Sequence, residues 1–269
     1  FDFEDMADVT NNMFQTANIS GTMSFNTGSD GSLIEGFDGE FIIDVYASNI
    51  VIRKNKLNYI KIDEDSISGI IVAQNIIINS SSSAGAGGVS IYNTNITEVF
   101  ILNNVLIGDN ISINIYSGSQ NKIFAFNNVI NGNVSCLNCY SNNNNTITFM
   151  NNILSDSFDS YFLTDNNIVM YNIYNSEGVL PSDQSLYNTL ITDISTVFVD
   201  YANGNYHLVS GSPALGSGEA GTDMGVYGGE LPFVDNGIPA LPSIYQIQAP
   251  FVGSHQSGLD VIIKAKTNE

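Results

Sequence analysis

Hydrophobic and polar residues alternate along much of the chain with the period of two that is typical of β-strands. Residues 40–46 and 111–116 show this alternation clearly, and both runs are rich in Ile, Val and aromatic side chains. The breaks between such runs consist of Gly, Asn and Ser, and no segment has the spacing of an amphipathic helix. The pattern therefore predicts an all-β protein.

Part of this pattern repeats. Three segments superimpose without a gap at a step of 24 residues: FILNNVL at 100–106, FAFNNVI at 124–130 and TFMNNIL at 148–154. Weaker copies lie on both sides, and the second Asn of each copy gives the register Asn55, Asn75, Asn104, Asn128, Asn152 and Asn172. Coils of about 20–30 residues, each with two or three short strands, predict a parallel β-solenoid.

The recurrent Asn predicts an internal ladder. If every coil bends at the same place, the amides of Asn75, Asn104, Asn128, Asn152 and Asn172 stack, and each can donate to the carbonyl of the next. Asn also tolerates the left-handed backbone that such a bend requires. The flanking sets Leu102/Phe126/Met150 and Val105/Val129/Ile153 are then expected to stack inside the coil. The alternative is that these Asn are exposed loop residues.

Residues 203–229 change character and contain the runs NGNYHL, GSPALG and GTDMGVYGG. This succession resembles the closing motif of bacterial secreted right-handed parallel β-helix proteins of the pectate-lyase-like superfold, including Bacteroidetes-type surface proteins. The resemblance covers residues 203–229 and extends through the Asn-bearing coils back to about residue 40. It implies a right-handed parallel β-helix with closing coils at its end, and an extracellular or cell-surface location. With its N-terminal segment, the β-helix is expected to span residues 1–230. It indicates little about activity, because that group includes enzymes, adhesins and other surface proteins.

The C-terminal part, residues 231–269, begins with a connector that contains Pro. Two alternating runs follow at 243–249 and 258–266, separated by residues that can turn the chain. They predict a terminal antiparallel strand pair.

The amino-acid composition limits the classes of partner that the protein can bind. The 269 residues include 27 acidic and 7 basic side chains, for a net charge of −20. Binding to nucleic acid or to an anionic membrane needs clustered Lys and Arg, so both are disfavoured. No apolar run approaches the roughly 20 residues of a transmembrane helix. No signal peptide begins at Phe1, and we expect that one has been removed.

The basic residues suggest one catalytic possibility. A polysaccharide lyase needs a cation to stabilise an enolate-like intermediate and a base to take the proton. Arg53, Lys54, Lys56 and Lys61 lie close together in sequence, before the acidic run 63–65. The favoured alternative is a salt-bridged rim of an early coil.

The acidic residues suggest a second possible site, either catalytic or metal-binding. Asp156, Asp159 and Asp165 share one loop-like stretch. Two of them could act as the carboxyl pair of a glycosidase, or the three could bind Ca²⁺, the one cofactor considered. A solvated acidic loop is the favoured interpretation.

Cys136 and Cys139 have CxxC spacing. A zinc site would need two more ligands, and His207 and His255 are far away in sequence. In a secreted chain a local disulfide is the favoured state, with paired free thiols as the alternative. His207 is expected to be structural, with one ring nitrogen bound to a turn carbonyl, and His255 to be exposed.

Four aromatic residues in the second half could form a platform on which sugar rings stack. Against this, alternate positions of a strand usually belong to the core. The residues are Tyr161, Phe162, Tyr171 and Tyr174.

The ends of a parallel solenoid carry unpaired strand edges, which favour association with another copy. Strand addition would involve Phe1 and Phe3 at one terminus, and Leu259, Val261 and Ile263 at the other. Head-to-tail contacts that do not close give fibres. The sequence therefore predicts a secreted, non-catalytic structural subunit of an extracellular filament or adhesive layer. The alternative is a polysaccharide-binding or polysaccharide-degrading protein.

Overall fold

A computed structural model describes residues 2–3, 8–10, 17–79, 88–116, 120–137, 146–155, 167–175, 187–235, 243–248 and 262–266. The chain divides into two compact units, residues 1–233 and 234–269. The sequence placed the boundary after residue 230.

The first unit consists almost entirely of short strands, with 3-10 helices at Ile194–Thr196, Tyr201–Asn203 and Glu219–Gly221. The strands are β1 (Asp2–Phe3), β2 (Asp8–Thr10), β3 (Ala17–Phe25), β4 (Leu33–Glu35), β5 (Phe37–Val45), β6 (Val51–Arg53), β7 (Lys56–Leu57), β8 (Tyr59–Ile62), β9 (Ser68–Ala73), β10 (Ile76–Asn79), β11 (Val89–Ile91), β12 (Thr97–Leu102), β13 (Val105–Tyr116), β14 (Lys122–Phe126), β15 (Val129–Leu137), β16 (Thr146–Met150), β17 (Ile153–Leu154), β18 (Ile168–Met170), β19 (Ile173–Tyr174), β20 (Thr189–Leu190), β21 (Phe198–Asp200) and β22 (Asn205–Leu208).

Two parallel sheets form the wall of the solenoid. Sheet A has the order β1-β3-β5-β7-β10-β13-β15-β17-β19-β20, with β8 and β11 pairing beside this path. Sheet B has the order β2-β4-β6-β9-β12-β14-β16-β18. The chain passes from one sheet to the other in each coil. The all-β, parallel solenoid predicted from the sequence is therefore confirmed.

The 24-residue step of the sequence repeat is the offset between residues that pair in neighbouring strands of sheet B. In sheet B, Phe100 pairs with Phe124 and Phe124 with Thr148. At the N-terminal end, β1 pairs with β3 and β2 with β4, so these two strands form the first coil of the chain's own solenoid.

Among the described residues, no helix is both long and apolar enough to cross a bilayer.

The interior is a continuous aliphatic core, but its members differ from those expected. In the repeated coils the core holds Ile101, Ala125, Phe149, Leu106, Ile130 and Leu154. Val105, Val129 and Ile153, which were expected inside, belong instead to a second apolar cluster on the outer side of sheet A. The prediction was wrong because the ladder Asn itself faces inward, and the next residue of the strand must face outward.

The second unit contains β23 (Ser243–Gln248) and β24 (Ile262–Lys266), which pair antiparallel. This confirms the predicted C-terminal strand pair.

Candidate functional site

The predicted amide ladder is present inside the turn from sheet B to sheet A. The backbone N–H and Nδ2 of Asn104 donate to Oδ1 of Asn128, at 2.9 and 3.1 Å. Asn128 donates in the same way to Asn152, at 2.9 Å in both bonds. The pattern includes Asn55, Asn75, Asn104, Asn128, Asn152, Asn172 and Asn188. Asn188 was not predicted, because its step from Asn172 is only 16 residues.

The left-handed bend of each coil is made by the residue before the ladder Asn, and not by the ladder Asn as expected. Asn103, Asn127 and Asn151 have φ values of 51°, 57° and 59°. Asn is among the few residues that adopt this backbone without a large penalty. The bend leaves the side chain of this first Asn on the outer side of the wall, where it meets another part of the chain.

That part is residues 214–233, which we call the strap. The strap first meets the coil of Asn151, whose side-chain Oδ1 accepts from the N–H of Glu219 at 2.8 Å. The backbone carbonyl of Asn151 accepts from the N–H of Gly225, also at 2.8 Å.

The strap then crosses the earlier coils. Nδ2 of Asn127 donates to the carbonyls of Asp223 and Gly225, at 3.1 and 3.3 Å. Nδ2 of Asn103 donates to the carbonyls of Val226 and Gly228, at 2.8 Å each. One coil earlier, Gln74 donates to the carbonyl of Pro232 at 2.6 Å. The strap therefore runs back along the solenoid towards its N-terminal coils.

This path corrects the expectation of closing coils. None of the strap residues pairs into sheet A or sheet B. The strap instead covers the outward row of Val105, Val129, Ile153 and Ile173, against which Ala214, Met224 and Val226 pack.

The glycines of the GTDMGVYGG run permit this close approach. A Cβ on Gly225 would lie 2.7 Å from Cδ1 of Ile153, and one on Gly228 would lie 2.8 Å from Nδ2 of Asn127 and closer still to the carbonyl oxygen of Asp223 within the strap. Gly225 also has a φ of 82°, in the left-handed region. The motif is therefore a packing requirement of the strap.

A groove of about 410 Å³ lies between the strap and the outer face of sheet B. Its floor is formed by Leu102, Phe126 and Met150, one from each of three successive coils. These side chains were expected inside the coil and are on its outer side. The strap contributes Glu219 and Glu230, both exposed.

Aromatic side chains continue from the groove onto sheet B. Phe100 and Phe124 stack with ring centroids 5.0 Å apart, and Phe124 lies 6.2 Å from Phe126. All three rings are partly exposed.

The predicted aromatic platform is not assembled by its described members. Tyr171 stacks on Tyr187 and packs with the cluster under the strap. Tyr174 packs against the interior core, and burial raises the pKa of its hydroxyl. Tyr161 and Phe162 lie outside the described residues.

The basic residues considered for a lyase each lie beside a carboxylate. Glu35 accepts from Arg53 at 2.9 Å and pairs with Lys54 at 3.0 Å. Lys56 lies 3.8 Å from Asp38.

Lys61 pairs with Asp63, and its ammonium lies 5.2 Å from the centroid of the Tyr92 ring. The hydrogen bond to Asp63 raises the pKa of Lys61. Arg53 and Lys61 belong to different sheets. The four cations therefore do not converge on one centre.

A second cavity of about 440 Å³ lies against sheet A at the N-terminal coils. Asp38 and Glu40 line it, two residues apart on β5, together with Ser20, Lys56 and Asn58. Because Lys56 faces Asp38, the charge of this cavity is partly balanced.

Three of the predicted sites fall largely outside the described residues. Asp156, Asp159, Asp165, Cys139 and His255 all lie there. The backbone of Cys136 pairs with Ile115 in sheet A. The Ca²⁺ site and the disulfide therefore stay predictions. Among the residues that the structure describes, no three His, Cys, Asp or Glu side chains are grouped to hold a metal.

His207 lies on β22, and its ring stacks on Tyr227 of the strap at a centroid distance of 4.0 Å. The planes of the His207 and Tyr227 rings differ by 11°. The described contact thus ties the NGNYHL run to the GTDMGVYGG run.

The residues predicted to assemble with another copy are only partly described. Phe3 lies opposite Phe25 in the parallel pair of β1 and β3. Ile263 lies opposite Ile247 in the C-terminal antiparallel pair. Phe1, Leu259 and Val261 lie outside the described residues. Both described segments are thus paired on one edge within their own chain.

Comparison of the chain with family models, with curated proteins and with solved structures finds no match.

Proposed function

We propose that the protein is a secreted, non-catalytic structural subunit, and that its solenoid is one segment of an extracellular filament or adhesive surface layer. The observation that carries this proposal is the cohesion of the solenoid along its axis. The seven Asn side chains of the described ladder link successive coils, and the strap bonds to four coils in turn. Separating two coils must break these bonds together with the strand pairing, which suits a part that bears load.

The strand edges suggest how such subunits associate. Of the described strands, β1 and β2 are the outermost at one end, and β20 and β18 at the other. Ile168 on β18 and Leu190 on β20 are 44% and 49% exposed. Parallel strand addition between opposite ends would extend both sheets, and a contact of this heterologous kind gives open fibres. The charge of −20 opposes association at low salt.

The test is negative-stain electron microscopy of the purified protein at physiological salt, with Ca²⁺ and with EDTA. Uniform fibres are expected, and their loss in EDTA would give the acidic loops a bridging role. The double variant Ile168→Lys/Leu190→Lys should abolish fibres, whereas Val199→Lys, at an equally exposed position on β21, should not. Single particles under every condition would overturn the proposal.

A second candidate function is polysaccharide binding or degradation. The observation that favours it is the partly exposed aromatic surface of Phe100, Phe124 and Phe126 beside a groove. A glycan array tests binding, with Phe100→Ala/Phe124→Ala/Phe126→Ala expected to lose signal without affecting fibres. If the chain degrades a polysaccharide, substitution of Asp156 and Asp159 together should abolish that activity.

A further inference from the structure

The groove between the strap and sheet B combines an apolar floor with acidic walls. Its volume of about 410 Å³ lies in the range of ligand pockets, roughly 300–1,000 Å³. Leu102, Phe126 and Met150 form the floor, and within the described part of the chain Glu219 and Glu230 are the only charged residues that line it. Its occupant should therefore be partly apolar and should carry positive charge.

The three side chains of the floor are regularly spaced from coil to coil along the solenoid. They come from paired positions of β12, β14 and β16. Neighbouring strands are about 4.8 Å apart, which is close to the length that one pyranose residue occupies in an extended polysaccharide. An extended sugar chain can thus place successive rings over successive coils.

The acidic residues lie at different coils along this direction. The backbone of Glu219 bonds to Asn151, whereas Gly229, the neighbour of Glu230, lies against the Asn127 side chain. Two ammonium groups on one extended chain can therefore face two separate carboxylates. Phe126 belongs to the same coil as Asn127, so its partly exposed ring is available to a cation beside Glu230.

We propose that the groove binds a chain of amino sugars with free ammonium groups, such as a glucosamine oligomer. This inference rests on the second candidate function and not on filament formation. The apolar faces of the sugar rings lie on the floor, and the ammonium groups face Glu219 and Glu230. The hydroxyl of Thr222 donates to the carbonyl of Glu219 and can accept from a sugar hydroxyl. A uronic acid polymer would be repelled by the same carboxylates and by the net charge of −20.

Calorimetric titration of the full chain with four probes tests the proposal. The probes are the hexamers of glucosamine, N-acetylglucosamine and galacturonate, and spermine as an amine without sugar rings. The glucosamine hexamer should bind, with affinity that falls as salt rises, and the acetylated hexamer should bind about tenfold more weakly. Equal binding of the acetylated hexamer, or spermine binding as tightly as the glucosamine hexamer, would overturn the proposal.

Two pairs of variants locate the site. Phe126→Ala should weaken the glucosamine hexamer about tenfold, whereas Phe124→Ala, on the same strand but outside the groove lining, should change affinity by less than about twofold. Glu230→Gln should weaken it about threefold, and Glu98→Gln, another exposed acid, should have no effect. Thermal unfolding of each variant checks that the fold is intact.

The outcomes separate the inference from the function on which it rests. If Phe124→Ala weakens binding as much as Phe126→Ala, the sugar lies on the open face of sheet B and the groove assignment is wrong. If the glucosamine hexamer does not bind while other glycans on the array do, the inference fails alone. If no glycan binds, the second candidate function fails as well.

Discussion

The two Asn of each repeated pair are neighbours in sequence but lie on opposite sides of the solenoid wall. Asn104, Asn128 and Asn152 face inward, are fully buried, and bond to one another. The residues before them face outward and bond to the strap. The outer set is Asn103, Asn127 and Asn151.

The difference lies in what each amide is bonded to. The side chain of an inner Asn such as Asn128 takes part in five hydrogen bonds, with Asn104, Ile101, Phe126 and Asn152. Within the described residues, the side chain of an outer Asn bonds to the backbone of the strap. The inner set therefore acts as a connected network in which one loss leaves several partners unpaired, whereas each outer Asn is a separate attachment point.

The largest effect is expected from breaking the inner network. Asn128→Ala removes the acceptor of the Asn104 N–H and the donor to the Ile101 carbonyl, both buried. We expect a loss of about 3–5 kcal/mol in the free energy of unfolding, since each buried orphan costs about 1–3 kcal/mol. Urea denaturation measures it. A loss below about 1 kcal/mol would show that the ladder contributes little.

A smaller effect is expected from distorting the strap, because Gly228 packs against Asp223 of the same segment. Gly228→Ala places a Cβ against the backbone of Asp223 and should cost about 2–3 kcal/mol through overpacking. Gly211→Ala is the control, because no atom lies within 4 Å of the added Cβ and only its left-handed φ of 82° is penalised, by about 1 kcal/mol. Equal losses in thermal unfolding would contradict the packing account.

Removing one outer attachment should cost less again. Asn127→Gly keeps the left-handed bend and deletes the bonds to Asp223 and Gly225, so we expect a loss of about 1–2 kcal/mol. Hydrogen exchange should show faster exchange of strap amides such as Gly225, with the ladder amides unchanged. Faster exchange in both regions would mean that strap and ladder open together.

The smallest effect is expected at alkaline pH, in the cluster under the strap. Burial, and secondarily the nearby Tyr201, raises the pKa of Tyr206 from 10 to about 12. The folded chain then keeps a proton that the unfolded chain releases, so this stabilisation is complete below pH 10 and is lost as the pH rises to 12. Tyr206→Phe should reduce the loss of thermal stability across that window, and Tyr187→Phe, an exposed Tyr, should not.

The sequence was sufficient to predict the solenoid and the ladder because both repeat. Each coil makes the same bend, so Asn104, Asn128 and Asn152 recur at a constant step. Asn188 was missed because its step from Asn172 is only 16 residues, shorter than any step in the predicted register.

The side on which each residue lies could not be derived by simple alternation. Ile101 faces inward and Leu102 outward, but the left-handed residue Asn103 also faces outward before Asn104 returns inward. One bend residue per coil thus shifts the phase of the alternation.

The contacts of the strap could not be predicted from its side chains, because Asn103 and Asn127 bind its backbone carbonyls. Every residue has a backbone carbonyl, so these contacts require no particular sequence in the strap. The available signal was that an extra Asn precedes the ladder Asn in only three consecutive coils. A second signal was the glycine-rich run, whose Gly225 and Gly228 allow close approach to those coils.

The ladder also has a direction. Within the ladder, each Asn from Asn55 to Asn172 donates to Oδ1 of the next Asn on the C-terminal side, so the side-chain carbonyls all point towards the N-terminal coils. The second hydrogen of each Nδ2 is donated to a backbone carbonyl of the preceding coil. Aligned dipoles reinforce one another as they do in an α-helix, leaving partial negative charge at the N-terminal end of the column and partial positive charge at the C-terminal end. The described interior of the solenoid is thus electrically polarised by amides, since the described hydrogen bonds of the ladder side chains run to other amides and to backbone groups.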